Sequence, residues 1–147
     1  MDKYDCLKLG NQLCFPLYAC SREIIKKYNP LLKELDLTYT QYIAMMVFWE
    51  DKKLSVKELG QKLFLDSGTL TPVLKSLETK GLVRRFRSSE DERVLIVEIT
   101  EQGEAMKEKA VSIPAKVGKC VDLTTDEAGE LYRILYKLLN AETTDSK

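Results

Sequence analysis

Three helix starts are spelled out along this chain with one internal spacing: Thr38 with Gln41, Ser55 with Glu58, and Thr124 with Glu127. A hydroxyl at the cap accepts from the backbone N–H three residues on, while the Gln or Glu there reaches back, so two otherwise unbonded amides are satisfied together. Leu37 with Tyr42 and Leu54 with Leu59 flank two of these boxes as apolar staples. Boxes set this closely confine the middle of the chain to short helices. With apolar residues at helical spacing, they predict helices over 11–28, 30–36, 39–50, 55–64, 67–80, 101–121 and 125–140. Between the fifth and sixth, "LVRRFRSSEDERVLIVEIT" changes period. Leu95, Val97 and Ile99 alternate and "SSED" supplies a turn, which predicts a β-hairpin.

At 147 residues and 44% hydrophobic content, the chain is expected to be one domain over 1–147 with a substantial core. No run of about 18 apolar residues occurs, and the N-terminus lacks a basic-then-apolar pattern, so a cytoplasmic protein without membrane contact is expected. Cys6, Cys14, Cys20 and Cys120 form no C-x-x-C pair, and histidine is absent. That donor set predicts no metal and no cofactor. In a reducing compartment the four cysteines are thiols.

Two short helices, a tight turn and then a hairpin make the order of a winged helix-turn-helix, so the fold class expected is mainly α with a small β-hairpin wing. "SVKELGQKLFLDSGTLTPVLKSLETKGLV" supplies the supporting helix from Ser55 to Phe64 and a recognition helix from Ser67 to Lys80. Residues 52–93 carry 10 basic and 6 acidic side chains, whereas the chain as a whole is neutral. A helix N-terminus favours anions and fits the major groove, and Asp66, Ser67, Thr69, Thr71 and Lys75 suit that role. The same hydroxyls would also serve as plain helix caps. Pro72 fits either near the start of a helix from Ser67 or in the first turn of one starting at Thr71. At the hairpin tip Arg93 can reach a narrow minor groove, with Asp91 orienting it through a charge-assisted pair. Arg84, Arg85 and Arg87 read as phosphate contacts or solvated side chains.

"LDSGTLTPVLKSLE", "GLVRRFRSSEDERVLIVEITEQG" and "NQLCFPLY" together resemble the MarR family of winged-helix repressors, specifically its organic-hydroperoxide-sensing OhrR branch, over about residues 8–140. The resemblance implies a homodimer in which about 38–99 form the DNA-binding lobe and about 8–36 and 101–140 form the dimerisation helices. It implies double-stranded operator DNA as partner, organic hydroperoxide as oxidant, and a sensor cysteine at Cys14 held by tyrosines matching Tyr28 and Tyr39. Some members of the branch carry a second cysteine that resolves the oxidised sensor into an intersubunit disulfide, which makes Cys120 the candidate. Others are capped by a low-molecular-weight thiol. Pro16 departs from the family stretch and predicts a kink beside Cys14.

Cys14 and Tyr28 share one helix face but lie fourteen residues apart, roughly 21 Å at 1.5 Å per residue. Within one straight helix they do not meet, and the resemblance answers with the partner subunit. Hydroxyl donors stabilise a thiolate, the form that attacks a peroxide oxygen to give a sulfenic acid. Leu13 and Phe15 beside it suit organic hydroperoxides. The plainer role of a helical cysteine is that of a small buried hydrophobe. Met106, Ala110, Ile113, Val117 and Val121 form one apolar stripe, with Cys120 on its flank. The reading is a redox-responsive repressor that releases DNA on oxidation of Cys14. Its rivals are a repressor of the same fold answering to a small aromatic ligand, a broader regulator like SarZ and MgrA, and a thiol peroxidase. The enzyme is disfavoured because the chain has no histidine and no peroxidase-type cysteine loop, while DNA-reading parts have no purpose in such an enzyme.

Overall fold

The computed structural model describes residues 2–145, so residues 1, 146 and 147 of the expected domain lie outside the described ones. Among the described residues, seven α-helices and three strands run in the order α1 (Cys14–Lys33), α2 (Tyr39–Asp51), β1 (Lys53–Ser55), α3 (Val56–Leu63), α4 (Ser67–Thr79), β2 (Val83–Arg87), β3 (Leu95–Ile99), α5 (Glu101–Ala110), α6 (Ile113–Gly118) and α7 (Thr125–Asp145). Two 3₁₀ turns, Asp5–Leu7 and Leu9–Asn11, precede them. The fold is thus mainly helical with a three-stranded antiparallel sheet ordered β1-β3-β2. No helix among the described residues is long and apolar enough to cross a membrane.

The capping boxes form as the spacing predicts. Thr38 Oγ1 accepts from Gln41 N at 3.2 Å and Ser55 Oγ from Glu58 N at 3.0 Å, each with its reciprocal bond. At the third box, Thr124 Oγ1 accepts from Glu127 N at 3.1 Å. The staples close inward: Leu37, Tyr42, Leu54 and Leu59 are all buried. They join Phe48, Met45, Leu70, Leu74, Leu77 and Val97 in one core running from the end of α1 to α6.

Prolines account for three departures from the expected helices. The break placed between 28 and 30 is absent, and α1 continues through Pro30 to Lys33. Burial of Leu32 and Leu35 against the core offsets the one backbone bond that Pro30 cannot make. Pro16 does not interrupt α1. It is the third residue of α1, where an amide has no partner within the helix, so its ring costs nothing there. The helix expected over 101–121 divides into α5 and α6 because Pro114 falls in mid-span, and it serves instead in the first turn of α6. The apolar stripe survives the division, since Ala110, Ile113 and Val117 are all buried.

Strand β1 is an addition to the expected hairpin. Lys53 pairs with Glu98, Leu54 with Val97 and Ser55 with Ile96, while β2 pairs with the whole of β3 from Val83–Ile99 to Arg87–Leu95. Ser55 therefore closes a strand and caps α3 at once.

Candidate nucleic-acid interface and thiol sensor

The turn between α3 and α4 sets the attitude of the recognition helix. Gly60 sits where a Cβ would come within 2.6 Å of the Leu65 carbonyl oxygen, so only glycine lets α3 approach the turn this closely. Phe64 ends α3 in the left-handed region at φ 56°. Asp66 then caps α4, its Oδ1 accepting from Thr69 N at 2.7 Å. That bond holds the Asp66 carboxyl below its ordinary pKa, keeping the cap charged. The helix starts at Ser67, which settles the two starts the sequence allowed, and Pro72 lies in its interior, leaving the Gly68 carbonyl without its helical donor. Thr71 Oγ1 donates to the Ser67 carbonyl at 2.8 Å. Leu70, Leu74 and Leu77 anchor the buried side of α4, while Ser67, Thr69, Thr71, Pro72 and Lys75 share its exposed side.

At the tip of the wing, Arg93 is 90% exposed and clamped at its base. Nε and an Nη donate to the two Asp91 oxygens at 3.1 and 3.2 Å, and Arg93 N donates to Asp91 Oδ1 at 3.0 Å. The Arg93 side chain, more than its backbone amide, pulls the Asp91 carboxyl below its usual range. An exposed groove runs between wing and helix, lined by Gln61, Ser67, Thr71 and Arg93, with Lys57 at its edge. Lys57 and Gln61 were not singled out in the sequence, because only the packing of α3 against the wing brings them beside α4.

Two of the three strand arginines form ion pairs. Arg85 forks onto Glu78 of α4 at 3.0 and 3.3 Å while its N–H donates to the other Glu78 oxygen, tying β2 to the recognition helix. Arg84 pairs across the ladder with Glu98 at 2.8 Å. Arg84, 64% exposed, and Arg87 stay solvated basic residues of the kind expected, whereas Arg85 does not.

The sensor residues divide into two groups. Cys14 is exposed at the first position of α1, where the free amides of the first turn gather, with Leu13 83% and Phe15 43% exposed beside it. It is not a buried hydrophobe. Tyr28, near the far end of α1, meets Tyr39 at the start of α2 with ring centroids 5.1 Å apart, and both rings lie near Tyr42 at 5.7 and 6.3 Å. Burial, and secondarily Tyr28, pushes the Tyr39 hydroxyl above its ordinary pKa, so it stays a protonated donor at neutral pH. The structure joins the tyrosines and leaves Cys14 about 21 Å along α1 from them. Cys120 is exposed in the turn after α6, its Sγ 3.5 Å from the Lys116 carbonyl. Cys6 and Cys20 are exposed as well.

Comparison with known proteins follows the same lines. The family model described as transcriptional regulator SarA/Rot matches residues 26–110. The chain is 49% identical to the organic hydroperoxide resistance transcriptional regulator of Bacillus subtilis, covering 94% of each chain. It is 47% identical to the HTH-type transcriptional regulator SarZ of Staphylococcus aureus over 95% of each. Reduced AbfR of Staphylococcus epidermidis bound to DNA superposes with a TM-score of 0.81 at 32% identity, covering 99% of this chain and 100% of that one. Disulfide-formed AbfR superposes less closely, with a TM-score of 0.60. By fold, extent and identity, the chain belongs to the MarR-type winged-helix transcriptional regulators, a family of DNA-binding proteins and not of enzymes.

Proposed function

We propose that this regulator is a homodimeric repressor that leaves its operator when organic hydroperoxide oxidises Cys14. The separation along α1 carries the reading. Cys14 lies at one end and the Tyr28–Tyr39 pair near the other, and the side chains of Leu13, Phe15, Leu17, Tyr18 and Ile24 stand partly or largely exposed between or beside them. Helix α7 likewise exposes Leu131, Tyr132, Ile134 and Leu138. Faces this apolar on a single subunit mark an association surface. Two-fold pairing across about 8–36 and 101–140 would set Cys14 against the partner subunit's Tyr28 and Tyr39, whose hydroxyls then hold the thiolate. The thiolate sulfur attacks the outer peroxide oxygen. The O–O bond breaks, the departing alkoxide takes up the proton that the thiol gave up and leaves as the alcohol, and the sulfur carries the OH of a sulfenic acid. Its exposed position makes Cys120 the candidate to condense with that acid, releasing water and forming the disulfide; a small thiol would serve equally.

The reduced dimer presents two recognition helices about 34 Å apart to successive major grooves of operator DNA. Ser67, Thr69, Thr71 and Pro72 face bases and phosphates, Lys75 a phosphate, and Arg93, steadied by Asp91, the minor groove. Replacing Arg93 with Ala is expected to weaken operator binding about 10-fold, and replacing Lys75 with Ala to weaken all duplexes alike while lowering the salt slope by about one. Anisotropy titrations at several salt concentrations measure both. Equal effects of the two changes on specific and random DNA would remove the minor-groove role of Arg93.

Intact mass under non-reducing conditions tests the chemistry directly, after about one equivalent of organic hydroperoxide with or without a small thiol. A covalent dimer mapped to Cys14 and Cys120 supports the two-cysteine switch; an oxygen or thiol adduct on Cys14 supports the one-cysteine form. An unmodified Cys14 ends the redox reading in favour of a repressor answering to a small ligand. An open depression of about 480 Å³ beside Tyr39, lined by Ile25, Asn29, Lys33, Thr38 and Lys80, is a candidate site for such a ligand.

A further inference from the structure

Gln41 is a buried amide, 7% exposed, where α2 packs against α4. Its Oε1 accepts from Thr38 N at 3.1 Å and from Lys80 Nζ at 3.0 Å, and its Nε2 donates to Ser76 Oγ at 2.9 Å. Lys80 also donates to the carbonyl of Asp36, which closes the loop before α2 in the left-handed region at φ 54°. A capping box needs only the first of these contacts, and a solvent-facing glutamine would supply it. The other bonds cross to the C-terminal half of the recognition helix. Tyr39 opens α2 only two residues before Gln41 and packs against Tyr28 with the two rings tilted at 58°. The tyrosine pair and the recognition helix therefore share a single turn of backbone.

We propose that Gln41, with Ser76 and Lys80, is the positioning element through which the Tyr28–Tyr39 pair sets the orientation of α4 and hence DNA affinity. This rests on the redox reading above. A displacement of Tyr39 carries the first turn of α2 with it. Gln41 then cannot keep both its cap bond and its bond to Ser76. Because a buried amide is costly to leave unpaired, the network moves between two bonded arrangements and takes α4 along, instead of stretching. Coupling of this kind is a free energy between two sites, read as the ratio of DNA affinities in the reduced and oxidised states.

The test uses Ser76→Ala and Lys80→Met in the full chain, with Ser76→Thr as the conservative variant. The DNA probe is a duplex selected from a random pool by the reduced wild-type protein, and the extent of Cys14 oxidation is read by mass in the same samples. In the Ala and Met variants Cys14 oxidises as in wild type, reduced affinity stays within about 3-fold, and the reduced-to-oxidised affinity ratio falls about 10-fold towards one. Ser76→Thr keeps the wild-type ratio. Parallel loss of both affinities with the ratio intact would overturn the proposal and leave the network a structural role only. Failure of the redox reading shows earlier and separately, as a wild-type protein whose Cys14 stays unmodified or whose oxidation leaves affinity unchanged, and the proposal falls with it.

Discussion

A Cys14→Ser variant is expected to remain on its operator at hydroperoxide doses that release the wild-type protein. Serine keeps the size of the side chain and removes the nucleophilic sulfur, so the oxidation has nowhere to begin. The fold has little stake in the exchange, because Cys14 is exposed at the first position of α1 and lies outside the buried core. Reduced affinity should therefore match wild type within about 2-fold, while the drop of about 10-fold or more on oxidation disappears. Titration of operator DNA before and after peroxide, by anisotropy or gel mobility, gives both numbers. Cys6, Cys20 and Cys120 are exposed too, so their serine variants form the necessary comparison. Loss of release in the Cys120 variant as well would identify the disulfide as the releasing species. Release by Cys14→Ser at the wild-type dose would move the sensor elsewhere.

The largest effect on stability is expected at a residue outside both candidate sites. A Cβ on Gly103 would lie 2.3 Å from the Leu82 carbonyl oxygen and 2.7 Å from Ile99 Cγ1, backbone and core atoms that have no free direction to move. The Gly103 carbonyl also accepts from Trp49 Nε1 at 2.9 Å in a buried setting, and Gly103 N donates to Thr100 Oγ1 at 3.1 Å. Gly103→Ala must push α5 off the sheet and weaken the tryptophan bond, at a cost of about 3 kcal/mol. Thermal melting should fall by roughly 6–12 °C for a chain of this size. A melt within about 2 °C of wild type would mean that α5 shifts without consequence.

The two sites were legible in the sequence to different degrees. Asp66, Ser67 and Arg93 declared themselves because their local settings, a helix start and a turn, are properties of a few consecutive residues. The wing pair needed only Asp91 and Arg93 at a two-residue spacing, and the structure forms it. Arg85 misled for a matching reason. Its partner Glu78 lies on the preceding helix, and nothing in the strand marks it as taken. Gln41 was read as half of a capping box, which it is, but its bonds to Ser76 and Lys80 join residues 35 and 39 positions away. Strand β1 was missed because three residues carry no period and gain their ladder only from β3.

By itself the sequence determined where the side-chain-capped helices α2, α3 and α4 begin and where the chain turns back as a hairpin, since capping, periodicity and turn chemistry act within a few residues. It also placed a thiol and two tyrosines on or beside one helix. Tertiary structure decided what prolines do in context: Pro30 is carried through a helix by the burial of Leu32, and Pro114 divides one. It brought Tyr28 against Tyr39 and left Cys14 exposed at the other end of α1. Those outcomes depend on which surfaces meet after the chain has closed loops tens of residues long, and no local pattern encodes that choice.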